Sequence, residues 1–416
     1  MKKIKVYADF DFLETPEKIG ILGYEHIRGK DHFVFEYSHE WLKQYGGIIL
    51  SGDLLNVPSL QYPRGHDGVF GLILDSFPDR WGRLLLDRRE RLMAQSENRP
   101  VRTLTNYDYL TGIEDFTRMG GIRYKSDDSD NFINASTQYH VPPIEHLRTL
   151  CDACHEIELA EERDELPEQR WLDQLINPGT SLGGARPKAN VIDTDGRLYV
   201  AKFPSKKDLE NTELLEHFSH KLAAAAGINV ANTRTIKISK DRDLLLSERF
   251  DRTADGKRIH FASAMSLLGL EDGAGNSTGN GYLDIADFIL QGCADASKNL
   301  RELYRRVAFN VIFGNTDDHF RNHGFLLTPK GWTLAPAYDI NPSAKSHQCL
   351  LIDQYTEKSD INTLLAACSN YMLEEKEAAE IIDEVRSAIK DWRTLATKLQ
   401  ISHKTFEPYS IRWDNA

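Results

Sequence analysis

A polar loop at residues 313–324 reads Phe-Gly-Asn-Thr-Asp-Asp-His-Phe-Arg-Asn-His-Gly. Within it, Asp317 and Asn322 are five residues apart, and Asp339 follows after a short hairpin pattern. Phosphoryl transfer needs a carboxylate beside the acceptor hydroxyl and oxygen ligands for the magnesium ion on the phosphates. Protein kinases place an aspartate, an asparagine five residues later and a second aspartate beyond a hairpin in this order. The spacing therefore indicates phosphotransfer chemistry.

Two other interpretations of this loop remain open from the residues alone. Asp317, Asp318, His319 and His323 could form the metal centre of a hydrolase, although no helix-spaced H-E-x-x-H pair occurs in the sequence. Alternatively, the polar side chains could only hydrogen-bond the loop and its neighbours. The kinase interpretation is favoured because other parts of such a site precede the loop in the expected order.

Lys202 is a second candidate, in the apolar segment Leu-Tyr-Val-Ala-Lys-Phe at 198–203. On a strand, this lysine shares a face with two apolar residues, so we expect it to point toward a covered surface. It could contact nucleotide phosphates, as the lysine of the kinase V-A-I-K strand does, or lie exposed at the strand end. Glu216 on the following helix is the expected acidic partner of the lysine, and Glu213 is the competing choice.

A segment with paired glycines, Thr-Ser-Leu-Gly-Gly-Ala-Arg-Pro-Lys at 180–188, precedes this strand. Paired glycines let backbone N–H groups approach a phosphate closely, and Arg186 and Lys188 add positive charge. The segment is neither a Walker A motif nor the three-glycine pattern of protein kinases. By itself it is equally compatible with an ordinary β-turn.

The elements that must carry these residues follow from the apolar pattern. Short apolar runs separated by turn-like sequence predict strands within residues 1–60. A hairpin is predicted around Asp195 and Gly196, followed by a helix that ends near Gly227. The last third of the chain has helical periodicity, with one β-like interlude at 324–340. We therefore expect an α+β protein.

The composition of the 416-residue chain is that of a globular protein, and its length predicts roughly two to three domains. The formal net charge is −12, which suits nucleic-acid phosphates poorly. No long apolar run predicts a membrane span, and the N-terminus lacks a signal-peptide pattern. The five cysteines are expected to be reduced thiols of a cytoplasmic protein, with Cys151 and Cys154 as ordinary helix residues. The glycine-rich segment 273–281 is interpreted as a flexible surface loop.

Several stretches together resemble the HipA family of type II toxin–antitoxin serine/threonine kinases. They occur in the family's order and are TSLGGARPKANV at 180–191, VAKFP at 200–204, LSERFDR at 246–252, GNTDDHFRNHGFLL at 314–327 and LAPAYDINP at 334–342. LDSFPDRWGRLLLDR at 74–88 also resembles the family's first subdomain. The resemblance implies a kinase-like two-lobe fold. Its parts would be a β-rich N-terminal subdomain at 1–115, a kinase N-lobe at 116–251 and a helical C-lobe at 252–416.

The resemblance also implies roles for individual residues. Asp317 would be the catalytic base, preferred over Asp318 because only Asp317 has the five-residue spacing to Asn322. Asn322 and Asp339 would hold Mg²⁺. The implied ATP contacts are Ser181, Leu182, Gly183, Gly184, Ala185, Lys202, Glu248 and Phe250, the last two at the adenine-side hinge. Ser181 also matches a loop serine that family members autophosphorylate, where about two added negative charges should expel the loop from the nucleotide site.

Family members usually phosphorylate an aminoacyl-tRNA synthetase and arrest growth. Their usual partner is a small helix-turn-helix antitoxin, so we expect a HipB-like partner and contact with DNA only through it. Two alternatives share the residue pattern. A small-molecule kinase would use the same catalytic groups, whereas a catalytically silent binding module would only support repression by a partner. The presence of Lys202, Asp317, Asn322 and Asp339 together argues against the silent module.

Overall fold

The computed structural model describes residues 1–64, 68–135, 141–176, 184 and 186–416, and divides the chain into two compact units. The first unit comprises Met1–Glu213 and Thr235–Ala262, and the second comprises Leu214–Arg234 and Ser263–Ala416. Both contain helices and strands, which confirms the α+β class. The three-part division expected from the sequence stays a prediction.

The first unit begins with a four-stranded antiparallel sheet in the order β3-β2-β1-β4. Its strands are β1 (Lys2–Ala8), β2 (Glu17–Ile27), β3 (Lys30–Tyr37) and β4 (Ile122–Ser126). Ile4, Val6 and Ala8 alternate along β1 and are fully buried, as expected for a strand with one covered face. Four helices follow β3 in the chain: α1 (His39–Tyr45), α2 (Gly71–Leu74), α3 (Arg80–Ser96) and α4 (Asn106–Gly112).

The first unit also holds a second sheet in the order β5-β6-β8-β7. Its strands are β5 (Lys188–Ile192), β6 (Leu198–Lys202), β7 (Thr233–Ser239) and β8 (Arg242–Glu248). The predicted hairpin is confirmed, because the Gly196 N–H donates to the Asp193 carbonyl at 3.0 Å in the turn between β5 and β6. Apolar residues on one face pack with helices α3, α5 (Leu147–Glu162) and α6 (Gln169–Ile176) into one core: Trp81, Leu85, Leu150, Cys151, Ile157, Leu172, Ala189, Val191, Tyr199, Ala201, Leu244 and Leu246.

A buried network of charges follows β8 in the chain. Asp251 is fully buried, and its Oδ2 accepts from Arg249 Nη2 and Arg252 Nη1, each at 2.6 Å. The same carboxylate accepts from the Gly120 N–H at 2.8 Å, and Arg249 donates to the Thr117 carbonyl at 2.6 Å. Burial would raise the pKa of Asp251, but the two arginines hold it far below its usual range. The network fastens the exit of β8 to the segment before β4.

The second unit is mostly helical. The strand β9 (Phe261–Ser263) spans the boundary between the units, and β10 (Gly324–Thr328) pairs antiparallel with β11 (Gly331–Leu334). The helices of the second unit are most of α7 (Thr212–Ala225), α8 (Ala264–Leu268), α9 (Tyr282–Gly292), α10 (Ala296–Phe309), α11 (Ile361–Ala366), α12 (Glu375–Lys390), α13 (Trp392–Lys398) and α14 (Glu407–Asp414). Trp413 of α14 stacks on Phe313, and its Nε1 donates to the Phe313 carbonyl at 2.7 Å. This contact fixes the end of the segment after α10. In the described part of the chain, none of the helices combines the length and apolar character that a membrane crossing requires.

Candidate active site

The polar loop after α10 begins with a π-helical turn at Asn310–Gly314 and ends with a 3-10 turn at Phe320–Asn322. Asp318, between the two turns, is buried and accepts three hydrogen bonds through Oδ2. The donors are the Tyr282 hydroxyl at 3.0 Å, Asn310 Nδ2 at 2.5 Å and His323 Nε2 at 2.7 Å. Burial beside Asp318 raises the pKa of Tyr282 well above its usual value, so the phenol stays protonated as a donor. Asp318 therefore holds the loop together.

Asp317 differs from its neighbour because its side chain is exposed. Its backbone carbonyl accepts from Asn322 Nδ2 at 3.1 Å and from the His319 N–H at 3.1 Å. The turn that the Asn322 amide closes accounts for the five-residue spacing between the two side chains. Because the amide nitrogen of Asn322 is used within the loop, its amide oxygen is the atom suited to a cation.

Asp339 follows the β10–β11 hairpin and is held near the same loop by its neighbours. The Tyr338 hydroxyl donates to the Arg321 carbonyl, and the Asn341 N–H donates to Asn315 Oδ1 at 3.4 Å. Asp339 itself has a φ of +58°, a left-handed conformation that aspartate tolerates better than most residues. These contacts bring Asp317, Asn322 and Asp339 to one region of the second unit.

A hydrolase metal centre in this loop would need His and Asp side chains that are available to a metal ion. His323 donates to Asp318, so these two side chains bind each other within the buried network. Among the residues that the structure describes, no three His, Cys, Asp or Glu side chains are arranged to hold a metal ion. One carboxylate and one amide oxygen, from Asp339 and Asn322, are a ligand set that fits a Mg²⁺ ion also bound by phosphates.

Lys202 ends β6 in the first unit and is half-buried. It lies directly opposite Lys188 in the β5–β6 pair, so both lysines project from the same face of the sheet. Glu216 belongs to the second unit, is 5% exposed and lies 3.8 Å from His220 Nε2. The pairing of Lys202 with Glu216 stays a prediction.

Glu213, the competing acidic residue, binds Arg186. Arg186 Nη2 donates to Glu213 Oε1 at 2.6 Å, and the guanidinium also donates twice to Asp208, at 2.6 and 2.7 Å. Burial would lower the pKa of Arg186, but its hydrogen bonds to the two acids raise it above the usual range. The sequence suggested Arg186 and Lys188 as positive charge for phosphates. In the structure both are ion-paired, Lys188 with Asp79 at 3.1 Å.

Glu248 and Phe250 lie at the exit of β8. Glu248 is directly opposite Tyr199 in the β6–β8 pair, so its side chain projects from the face opposite to that of Lys202. Arg197 Nη1 lies 3.3 Å from its carboxylate, and both residues line a cavity of 260 Å³. Phe250 packs against Phe261. A nucleotide contact from Glu248 on the Lys202 face would have to use the backbone.

The expected phosphate loop is only partly described. Ser181, Leu182, Gly183 and Ala185 lie outside the described residues, so their predicted ATP contacts and the autophosphorylation of Ser181 stay predictions. Gly184 is described, is exposed and has a φ of +87°, which favours glycine.

The glycine-rich segment 273–281 is better fixed than the sequence suggested. The Asn276 N–H donates to the Cys349 carbonyl at 2.8 Å, and the Tyr282 N–H donates to the Leu351 carbonyl at 2.9 Å. A Cβ built at Gly275 would lie 2.4 Å from the Cys349 oxygen, so glycine is required for this approach. Gly275 and Gly281 therefore pack against the chain that follows Asp339, whereas Gly273 and residues 277–279 are exposed, as expected for a surface loop.

The chain is similar to one protein family and to several known proteins. Residues 180–392 match the family model of the HipA-like C-terminal domain. A candidate kinase of Sinorhizobium fredii, Y4mE, is 30% identical over 193 residues, which are 42% of this chain and 46% of that protein. The serine/threonine-protein kinase toxin HipA of Shewanella oneidensis is 26% identical over 190 residues, or 39% and 43% of the two chains. A candidate kinase of Haemophilus influenzae is 27% identical over 198 residues, or 42% and 57%.

These three alignments span about half the length of each relative. A chain in the solved complex of Shewanella oneidensis HipA and HipB with operator DNA matches the whole fold. Its TM-score is 0.67 at 17% identity, covering 99% of this chain and 95% of that chain. At this identity the likeness shows the fold.

Proposed function

Because the chain belongs to the HipA family, we propose that it is an ATP- and Mg²⁺-dependent serine/threonine protein kinase, the toxin of a toxin–antitoxin system. The observation that carries the proposal is the contrast between two adjacent carboxylates. Asp318 is buried under three hydrogen bonds, whereas Asp317 is exposed on the loop that those bonds hold. A rigid loop that presents one exposed carboxylate suits the positioning on which phosphoryl transfer depends.

Each proposed residue has a separate part in the reaction. Asp317 orients the acceptor hydroxyl and takes its proton as the phosphoryl group is transferred. The Asn322 amide oxygen and the Asp339 carboxylate would hold Mg²⁺, which would offset the negative charge of the phosphates. Lys202 contacts the phosphates, with Glu216 as its partner. The backbone from Leu182 to Ala185 covers the phosphates, as the resemblance implies.

The proposed substrate is a protein hydroxyl on a translation component such as an aminoacyl-tRNA synthetase, and Ser181 is the proposed autophosphorylation site. The proposed partner is a small HipB-like helix-turn-helix antitoxin, because the complex of similar fold contains HipA, HipB and operator DNA. A net charge of −12 agrees with contact to DNA only through that partner. The proposed location is the cytoplasm. A small-molecule kinase remains the alternative, since the same catalytic residues would serve it.

The test is incubation of purified protein with labelled ATP and Mg²⁺, alone and with candidate synthetases, followed by mass spectrometry of the peptides. We expect phosphate on a serine or threonine, lost in Asp317→Asn. Absence of ATP binding and of any transfer by the wild-type protein would refute the proposal. Transfer only to small hydroxylated molecules would favour the alternative.

A further inference from the structure

A buried ion pair joins helix α3 to the end of the expected phosphate loop. Lys188 Nζ lies 3.1 Å from Asp79 Oδ2, and the two side chains are 4% and 1% exposed. The residues are 109 positions apart in the chain. Two charges are rarely removed from water so completely unless they are paired, because desolvation is costly.

Asp79 is fixed by a second contact of its own carboxylate. It is the N-cap of α3, and its Oδ1 accepts from the Gly82 N–H at 2.7 Å. The helix behind it is anchored, since Trp81 and Leu85 belong to the hydrophobic core that includes the inner face of the second sheet. Asp79 thus presents Oδ2 to Lys188 from a rigid position.

Lys188 in turn touches the loop. A Cβ built at Gly184 would lie 3.2 Å from Lys188 Nζ, so the ammonium lies against Gly184, which has a φ of +87°. Two residues before Lys188, Arg186 is held by Asp208 and Glu213. Arg186 and Lys188 are therefore held by two separate sets of ion pairs.

The strand register gives the Asp79 contact a further consequence. Lys188 lies directly opposite Lys202 on the same face of the β5–β6 pair. Like charges that face each other across a strand pair repel. Asp79 neutralises the charge of Lys188, which reduces the repulsion between the two lysines.

We propose that Asp79 and Lys188 are positioning residues for nucleotide phosphates: the Asp79 carboxylate holds the Lys188 ammonium beside the backbone of Gly184, one of the proposed phosphate contacts. The proposal rests on the proposed kinase function and adds a contribution from the N-terminus of α3 to it. Neither residue needs to touch the nucleotide. A well-packed neutral pair can replace a buried ion pair without loss of stability, so stability alone does not account for these charges.

The carboxylate-to-amide change Asp79→Asn separates the two contacts of Asp79. Asparagine is as good an N-cap as aspartate, so the bond from the Gly82 N–H is kept. The second oxygen becomes an amide nitrogen that faces the lysine, and the ion pair is lost. The matched control is Glu161→Gln, which breaks the Arg88–Glu161 ion pair between α3 and α5 without touching the loop.

The measurements are kcat and KM for ATP, with the melting temperature of every variant. We expect Asp79→Asn to raise the KM for ATP roughly tenfold or more, because misplaced positioning groups act on binding and on near-attack geometry. Glu161→Gln should leave the KM within about twofold, as surface changes usually do. A KM equal to that of the wild-type enzyme in Asp79→Asn would overturn the proposal.

The double variant Asp79→Asn/Lys188→Met distinguishes positioning from stability. It removes both charges of this ion pair, so the melting temperature should recover while the KM for ATP stays raised. Recovery of both would show that the pair serves stability only, and would overturn the proposal. A wild-type protein that neither binds ATP nor transfers phosphate would instead remove the kinase function, and the positioning role with it.

Discussion

His323 Nε2 donates a hydrogen bond to Asp318 at 2.7 Å, and this contact separates the roles of two adjacent carboxylates. The side chain of Asp318 is turned into the protein, where Tyr282 and Asn310 also donate to it. Asp317 is left on the exposed side of the same loop. Sequence spacing alone prefers Asp317 as the base, and the burial of Asp318 gives a physical reason for that preference.

Replacing Asp317 and Asp318 by asparagine should have different effects, the first on catalysis and the second on stability. Asp317→Asn should lower kcat by roughly 10²–10⁴-fold while ATP affinity and stability change little, because the side chain is exposed. Asp318→Asn should lower the free energy of unfolding by about 2–3 kcal/mol, because an amide brings N–H groups against three donors. Labelled-ATP assays and chemical denaturation measure the two effects. Full transfer by Asp317→Asn would exclude it as the base.

Asp339→Asn should weaken the binding of Mg²⁺ and leave the stability of the fold largely unchanged. Loss of even an outer-sphere contact typically costs 10–100-fold in metal affinity, so a direct ligand should cost at least about tenfold. The apparent Mg²⁺ constant should rise, and excess Mg²⁺ should restore part of the rate. Asp383→Asn, an exposed aspartate on α12, is the control. An unchanged Mg²⁺ titration in Asp339→Asn would remove Asp339 from the metal site.

Glu248→Ala should leave the KM for ATP within about twofold, because the side chain projects from the sheet face opposite to Lys202. Lys202→Met should raise the same KM much more. Steady-state kinetics at varied ATP concentrations compares the two variants. A large rise in KM for Glu248→Ala would mean that the carboxylate itself binds the nucleotide.

Asp251→Ala should destabilise the first unit by about 3–5 kcal/mol, because Arg249 and Arg252 would lose the carboxylate that both now bind. The exposed Asp255, four residues further along, provides the control Asp255→Ala, which should change stability by less than about 0.5 kcal/mol. Urea denaturation followed by fluorescence measures both. If Asp251→Ala were as stable as the wild-type protein, the buried charges of Arg249, Asp251 and Arg252 would have a role other than stability.

His260 should make the first unit sensitive to acid. It is buried and stacks on Phe10, and burial lowers its pKa to about 3. Between pH 3 and 6.5 the unfolded histidine binds a proton that the folded one does not. Stability is therefore greatest above pH 6.5 and falls as the pH decreases through this window, by about 1.4 kcal/mol per pH unit from this group.

The variant His260→Phe keeps an aromatic ring against Phe10 and removes this titration. Its unfolding free energy, measured in urea at pH 4, 5, 6 and 7, should depend less steeply on pH than that of the wild-type protein. Identical slopes in the two proteins would show that His260 is protonated in the folded state.

Local patterns in the sequence were sufficient for the elements that carry the site. The turn at Gly196 and the Asp317–Asn322 spacing depend on residues close in the chain, and both could be read directly. The order of the motifs along the chain was sufficient to predict the family. The same order predicts a metal ligand at Asp339, which stays a prediction. The contacts that Tyr338 and Asn341 make with the loop could not be predicted from this order.

What could not be predicted depends on contacts between distant segments. The charges of Arg186 and Lys188 are evident in the sequence, but Asp79 is 109 residues from its lysine and no local pattern pairs them. The segment 273–281 has the composition of a free loop, yet its glycines allow the chain at 349–351 to approach. In both cases the sequence shows the residue type, but the contact that requires it is made with a distant segment and is seen only in the folded structure.

The three hydrogen bonds to Asp318 all come from the protein itself, from α9, the turn after α10 and the residue that precedes β10. Ordering a loop has an entropic cost, which a flexible site meets again at every binding event. Here the cost is met once, when the second unit folds. Substrate binding energy is then left for orienting the acceptor hydroxyl and the phosphates, and the loop can be equally ordered in every turnover.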